Sequence, residues 1–576
     1  SGIHGKYAVS SRPSFTAGPW TVYDAKSKAK HDPPAVSVFV FEKKKLNLKS
    51  SREKRMLEPA IARLKDEVSL MTKLRHPSLL EIIEPLEVSR SGTLTFVAER
   101  VTSSLVAFTD SKRMGRAKRS NADVDEIEIQ KGLFMVAKGL EFLHQTANRV
   151  HLNIRPQSVL VNAKDDWKLA GLAFSISADN FATGYQIDPY DFSLPHSLQI
   201  DLNYCAPELV LKQQVDSAND IFSFGCLIAS LYIGVSPIDS RQDFNEYGNI
   251  IRKNPSSLHV PSLSSFPSYL ASILPQLLAT KPTERITATE FINSKYFDNI
   301  VISTIRFLDS LPARTVAEKN AFFSGFANVA NQFPKPVLQR KVLPAFVQEY
   351  GKEDSLDEVV FNSIILISSD MSQLSFSEQV LPTIKSLKDN PGSHKAFLTN
   401  MDVLLKQLSK KDFKETVLPL LVRSMDSTDF QVLEKAMLTV SPILPSLDFL
   451  VIKNTLFPKV SDVFTKTSSL AVKIASLNAL ESLLAGGLDK PTVLQSLIPL
   501  IQNLKSRDPD LITATLGLFT GMKSVLDYSA LATDVIPIMY NFLVTSSLNQ
   551  QQFTLFASGI RDMTETILTE KSNTLS

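Results

Sequence analysis

Hydrophobic positions change their spacing part-way along this chain. Between residues 12 and 300 two spacings alternate. Val36-Ser37-Val38-Phe39-Val40-Phe41 is a β-branched and aromatic run, which predicts a buried strand, and Thr93 to Ala98 reads as another. Ile61, Leu64, Val68, Met71 and Leu74 recur at helical spacing and predict an amphipathic helix over Ala60 to Leu74. From about residue 135 helical spacing dominates. The order is α+β, a small strand-rich lobe followed by a larger helical one.

From 301 to 570 no run reads as a strand. A short motif recurs instead: Val342-Leu343-Pro344, Val380-Leu381-Pro382, Val417-Leu418-Pro419, Leu456-Phe457-Pro458, Leu497-Ile498-Pro499 and Val535-Ile536-Pro537. The prolines step by 38, 37, 39, 41 and 38 residues. A period near 40 predicts HEAT-type pairs of helices. Proline fits the start or a kink of a helix, because it has no N–H to donate there. Leu470, Ile474, Leu477, Leu480 and Leu484 predict one of the intervening helices. Asp426 to Asp429 and Ser506 to Pro509 read as turns before two others. The two halves place a domain at 12–300 and a helical-repeat domain at 301–570.

Composition narrows the function classes. The 576 residues exceed one hydrophobic core. At 44% hydrophobic and 21% charged the chain is ordinary for a folded globular protein. A net charge of +3 argues against nucleic-acid binding by bulk charge. Two basic stretches, Ser111 to Asn121 and Lys43 to Arg55, read as solvated loops. Two cysteines, Cys205 and Cys226, make neither a disulfide framework nor a zinc site and fit a reducing compartment. No apolar run approaches a membrane span and no secretory signal is visible, so a cytoplasmic protein is expected.

Ordered landmarks in the first half resemble a protein kinase. His151-Leu152-Asn153-Ile154-Arg155-Pro156-Gln157-Ser158 has the layout of the catalytic loop H-R-D-L-x-x-x-N. Glu67 stands ten residues before Pro77, where the small-lobe helix carries its ion-pairing glutamate. Trp167 to Ala173 covers the strand and D-F-G triplet, and Ala206-Pro207-Glu208 matches A-P-E. Asp220 opens a buried large-lobe helix, and Arg285 matches the arginine that pairs with the A-P-E glutamate, here Glu208. The resemblance implies a bilobal protein-kinase-like domain followed by an all-α HEAT-repeat solenoid.

The parts that phosphoryl transfer requires are absent from those landmarks. In Thr16-Ala17-Gly18-Pro19-Trp20 a single glycine is followed by proline and a bulky indole, which is no phosphate cradle. Phe39 occupies the position of the phosphate-binding lysine and leaves Glu67 without its partner. Asn153 replaces the carboxylate base and cannot usefully take a proton at neutral pH. Gly171 and Ser158 replace the aspartate and asparagine that hold magnesium. Losing single members of a catalytic unit costs roughly 10⁴ to 10⁶ in rate. Catalysis, a cofactor and a metal are therefore not expected. Glu208, Asp220 and Arg285, whose roles in that fold are structural, remain, and His151 reads as a brace for its loop.

A degenerate kinase domain followed directly by HEAT repeats resembles the SCY-like pseudokinase family. Ser37 to Lys44, Leu74-Arg75-His76-Pro77 and Thr467 to Val472 look like the branch associated with clathrin-coated vesicles. The resemblance implies a scaffold in traffic between Golgi, endosomes and plasma membrane. It would bind coat or adaptor proteins, with small GTPases as a further class, and sit on membranes peripherally through those partners. Two alternatives stand beside it: residual ATP binding or weak kinase activity, and transfer-RNA nuclear export, a role linked to a related branch.

Overall fold

The computed structural model describes residues 2–29, 33–115, 122–183 and 194–576, the side chains at 122–125 and 181–183 excepted. The chain forms two compact units, Ser1–Arg306 and Phe307–Ser576.

The first unit begins with an antiparallel sheet. Its strands are β1 (Tyr7–Val9), β2 (Phe15–Ala17), β3 (Trp20–Ser27), β4 (Ala35–Phe41), β5 (Ile82–Val88) and β6 (Leu94–Glu99), in the order β1-β3-β4-β6-β5 with β2 paired on β3. β4 is central and buried along almost its whole length, which is why it reads as a continuous apolar run. β2 and β3 pair Ala17 with Trp20, so Gly18 and Pro19 are the entire loop. Gly18 has φ +60°, and positive φ followed by proline suits a type II′ hairpin turn. The segment expected in place of a phosphate loop is thus a two-residue turn.

One helix, Ser51–Lys73, crosses the sheet and buries Leu57, Ala60, Ile61, Leu64, Glu67, Val68 and Met71. It starts nine residues before the predicted Ala60, so Ser51 to Arg55 of the basic stretch Lys43 to Arg55 is helix and not loop. Ser50 and Glu53 set this start. The Ser50 hydroxyl accepts from the Glu53 N–H at 3.1 Å, and the Glu53 carboxylate accepts from the Lys49 N–H at 3.0 Å. Pro59 lies inside on the solvent face, where water can satisfy the carbonyl it leaves unbonded. In the other basic stretch Lys112 and Arg113 close the helix Val106–Arg113, while Arg116, Lys118 and Arg119 lie outside the described residues.

In the large lobe the helix Ser217–Ile233 buries every residue from Asn219 to Leu231, and its apolar surface runs all round as a central helix requires. Asp216 and Asn219 close a capping box at its start.

The second unit is all helical among its described residues. Val316–Val329, Asp357–Ser368, Pro391–Thr399, Phe430–Ile443, Leu470–Ala485, Pro509–Met522 and Gln550–Leu575 each pack against the next, as stacked repeats do. Asp429 and Asp508 cap two of these helices from the predicted turns. Inside Leu470–Ala485 the buried face differs from the predicted stripe: Leu470 is exposed and Ile474 half-buried, while Val472, Ala475 and Leu483 are buried with Leu477, Leu480 and Leu484, because the helix has neighbours on both sides.

Five of the six recurring prolines share one local solution. Before Pro344, Pro419, Pro458, Pro499 and Pro537 the helix widens into a π-turn, Leu338–Val342, Phe413–Val417, Ile452–Leu456, Val493–Leu497 and Leu531–Val535. Proline removes the bond to the carbonyl four residues back and its ring crowds that carbonyl; the wider turn makes room. At Pro382 the helix breaks instead, Gln373–Gln379 then Leu381–Lys385, with Val380 between them at φ −109°. Three lysine–aspartate pairs, Lys414–Asp448, Lys453–Asp489 and Lys490–Asp527, join successive repeats at 3.6, 2.9 and 3.0 Å. Each aspartate also caps a helix start, so these exposed pairs set register more than they add stability.

Candidate functional site: a filled cleft in the kinase-like unit

The loop His151–Ser158 is held from beneath by Asp220. Its carboxylate accepts from the backbone N–H of His151 at 2.7 Å and of Leu152 at 2.9 Å, and bonds His144 Nε2 at 2.8 Å. That support matters because Leu152 adopts φ +65°, which a branched side chain occupies only when its surroundings impose it. His151 is buried in the same knot. Its Nδ1 accepts from the Asn153 N–H at 3.0 Å, so Nε2 carries the proton and donates to the Ala170 carbonyl at 2.6 Å. Burial lowers its pKa, which fits a neutral imidazole bracing two strands of the site.

Glu208 and Arg285 form the second brace. The guanidinium meets the carboxylate through two bonds, at 2.6 and 2.8 Å, and also donates to the carbonyls of Ala279, Ala218 and Thr280. Asn219 donates to the same carboxylate at 2.6 Å. Every donor and acceptor is paired, the condition under which a buried ion pair is tolerated.

The five degenerate positions meet around one cleft. Phe39 stacks on Phe96 with centroids 4.7 Å apart, and Trp20 meets Phe96 edge-on at 4.8 Å. These rings fill the space between the sheet and the loop. Glu67 lies at the same wall, 4% exposed, and no cation pairs with it among the described residues. Burial pushes its carboxyl up to about 7; the Trp20 indole N–H and the Leu172 backbone N–H face it and hold the rise in check. The Trp20 N–H makes no hydrogen bond of good geometry.

Gly171, at the metal-ligand position, has φ +70°, and a Cβ there would stand 2.8 Å from Ser158 Oγ. Both the backbone and the contact exclude an aspartate without rearrangement. Ser158 donates to the Asn153 carbonyl, and the Asn153 amide donates to the Gly171 carbonyl at 3.1 Å. The residues at the base and metal positions thus bond one another. What remains is a cavity of about 40 Å³, room for a few water-sized groups on the usual packing scale. Among the described residues no cluster of His, Cys, Asp or Glu could hold a metal ion.

Residues 22–297 match the protein kinase domain family. Across 98% of this chain and 75% of the relative, the sequence is 32% identical to protein kinase-like protein SCY1 of Saccharomyces cerevisiae. The chain belongs to the SCY1-like family. SCY1-like protein 2 of Homo sapiens is 28% identical over 96% of this chain and 61% of its own length. A SCY1-like relative from Dictyostelium discoideum, 22% identical over 95% of this chain and 62% of its own length, is named a probable inactive serine/threonine-protein kinase.

Two lining residues, Arg155 and Gln157, carry no signal in the local sequence. Both follow Asn153 in a stretch where arginine and glutamine ordinarily reach solvent, and only the tertiary fold, which sets Asp201, Tyr204 and Cys205 near Arg155, buries it to 3% exposure.

Proposed function

We propose that this SCY1-like protein is a non-catalytic scaffold in intracellular membrane traffic, binding coat or adaptor proteins at Golgi and endosomal membranes. The observation that carries the non-catalytic part is the cleft: Phe39 stacked on Phe96 stands where a lysine would hold phosphates, and Gly171 leaves no room for a metal-binding aspartate. The name of the Dictyostelium relative supports the same reading. The scaffold part draws on the stacked repeats, which offer long surfaces to extended partners. The traffic part rests on the resemblance of Ser37 to Lys44 and Thr467 to Val472 to the vesicle-associated branch. Membrane association is peripheral and runs through partners; among the described residues no helix is long and apolar enough to cross a bilayer.

Two measurements test it. Thermal unfolding with ATP, with and without magnesium, should show no magnesium-dependent stabilisation; a clear shift together with phosphate transfer to a protein substrate would return the chain to the enzymes. Co-sedimentation with purified clathrin coats and adaptor complexes should retain the protein. Binding to transfer RNA that weakens steeply with salt, and none to coats, would overturn the traffic reading.

A further inference from the structure

We infer that the cleft of the kinase-like unit holds a small oxyanion that also carries a hydroxyl, a phosphate group in its singly charged form, on Arg155 and Gln157. A guanidinium cannot shed its charge, so its burial must be compensated. Arg155 is 3% exposed and lines the cavity, yet its Nε and Nη1 have no hydrogen-bond partner. Asp201 acts on it electrostatically, but the Asp201 carboxylate is engaged with the Asn203 N–H at 3.0 Å and lies 3.7 Å from His196 Nε2. An unmade bond to a buried charged donor leaves its desolvation cost unrepaid.

The same wall carries two acceptors in the same condition, Gln157 Oε1 and Asn153 Oδ1. Counting the Trp20 indole N–H, four unpaired groups around one cavity are not the usual state of a folded interior, where nearly all are satisfied. The pairing of needs is specific. Arg155 calls for a negative oxygen, and the two amide oxygens call for an O–H. A phosphate monoanion supplies both from one tetrahedral centre; sulfate supplies only the first. The cavity's room of about 40 Å³ admits a group of a few heavy atoms. Glu67 faces the cavity from the opposite wall and is kept largely neutral below pH 7 by its burial. This inference does not depend on the trafficking role.

Trp20 lines the cavity, and the chain's other tryptophan is Trp167, so Trp167→Phe leaves one reporter at the site. Titrating that protein at pH 6 with sodium phosphate, sodium sulfate and sodium chloride at matched ionic strength tests the inference. Phosphate should give a saturable change in emission and a rise in Tm, with sulfate weaker and chloride inert. Arg155→Gln should weaken phosphate roughly 10- to 100-fold, the worth of one charge-assisted bond. Gln157→Leu removes the acceptor without touching the charge and should abolish the preference over sulfate, which keeps the test open if Arg155→Gln does not fold. Methyl phosphate distinguishes a free ion from the end of an ester; binding of either supports the site. Equal responses to phosphate, sulfate and chloride would overturn it. So would a high-resolution crystal structure, grown in phosphate, with only water bonded to Arg155.

Discussion

Glu67→Gln should make the protein more stable above neutral pH and leave it unchanged in acid. In the folded chain burial raises the Glu67 carboxyl from 4.5 to about 7. A shift of roughly 2.5 units corresponds to about 3 kcal/mol at full expression, an upper value because the site can relax. The sign follows from which state holds the proton. The folded state binds it more tightly, so this stability is fully present below pH 4.5. It is lost as pH rises through about 7 and stays lost above. Glutamine cannot ionise and keeps a donor in the same place, so the variant does not lose it. Chemical denaturation at steps from pH 5 to 8.5 checks this, read by tryptophan fluorescence. Both tryptophans, Trp20 and Trp167, lie in the first unit, so the signal reports that unit alone. The two proteins should differ by less than about 1 kcal/mol at pH 5 and diverge by up to about 3 kcal/mol at pH 8.5 in favour of the variant. Equal stability at pH 8.5 would mean that a cation reaches Glu67, and the argument from Phe39 to an unpaired glutamate would fail.

Other substitutions probe the rest of the unit. Arg285→Met or Glu208→Gln alone should cost about 3–5 kcal/mol by stranding a buried charge or its donors, and the double variant should recover part of that; additive losses in a double-mutant cycle would show that the pair is not coupled. Phe39→Ala should destabilise by about 3–5 kcal/mol in denaturant titration, because the rings of Phe96 and Trp20 lose their packing partner; a loss under 1 kcal/mol would mean that the aromatic wall collapses freely. Gly171→Asp should cost roughly 2–4 kcal/mol from the left-handed backbone and the contact with Ser158, and should not restore magnesium-dependent ATP stabilisation; a neutral substitution would refute the steric account.

Much of the architecture was legible along the chain, and the legible parts share a cause. The alternation from strand spacing to helix spacing, and the prolines stepping near 40 residues, are consequences of local backbone geometry, so Val36 to Phe41 and the Leu-Pro motifs announce their elements directly. The helix Ser51–Lys73 begins before the predicted Ala60 and runs through Pro59, whose missing N–H argues for a break only when its neighbours alone are considered. The sheet beneath and the Ser50–Glu53 cap outweigh that one missing bond. The absence of charged chemistry at Phe39, Asn153, Ser158 and Gly171 is likewise written in residue types.

What those residues do instead depends on contacts across the fold. The stacking of Phe39 on Phe96 joins positions 57 residues apart, and the closure of Gly171 on Ser158 needs both the loop and the strand Trp167–Leu169 in place. Arg155 is the clearest case. In sequence it is one arginine in a polar turn, and nothing nearby marks it as buried. Burial, charge compensation and an unpaired donor are properties of the environment that the tertiary fold creates. Residue identity and spacing therefore determined the kinase-like lobes and the helical repeats. Tertiary packing alone decided that the site is lined with aromatic rings and holds one buried guanidinium with unpaired donors.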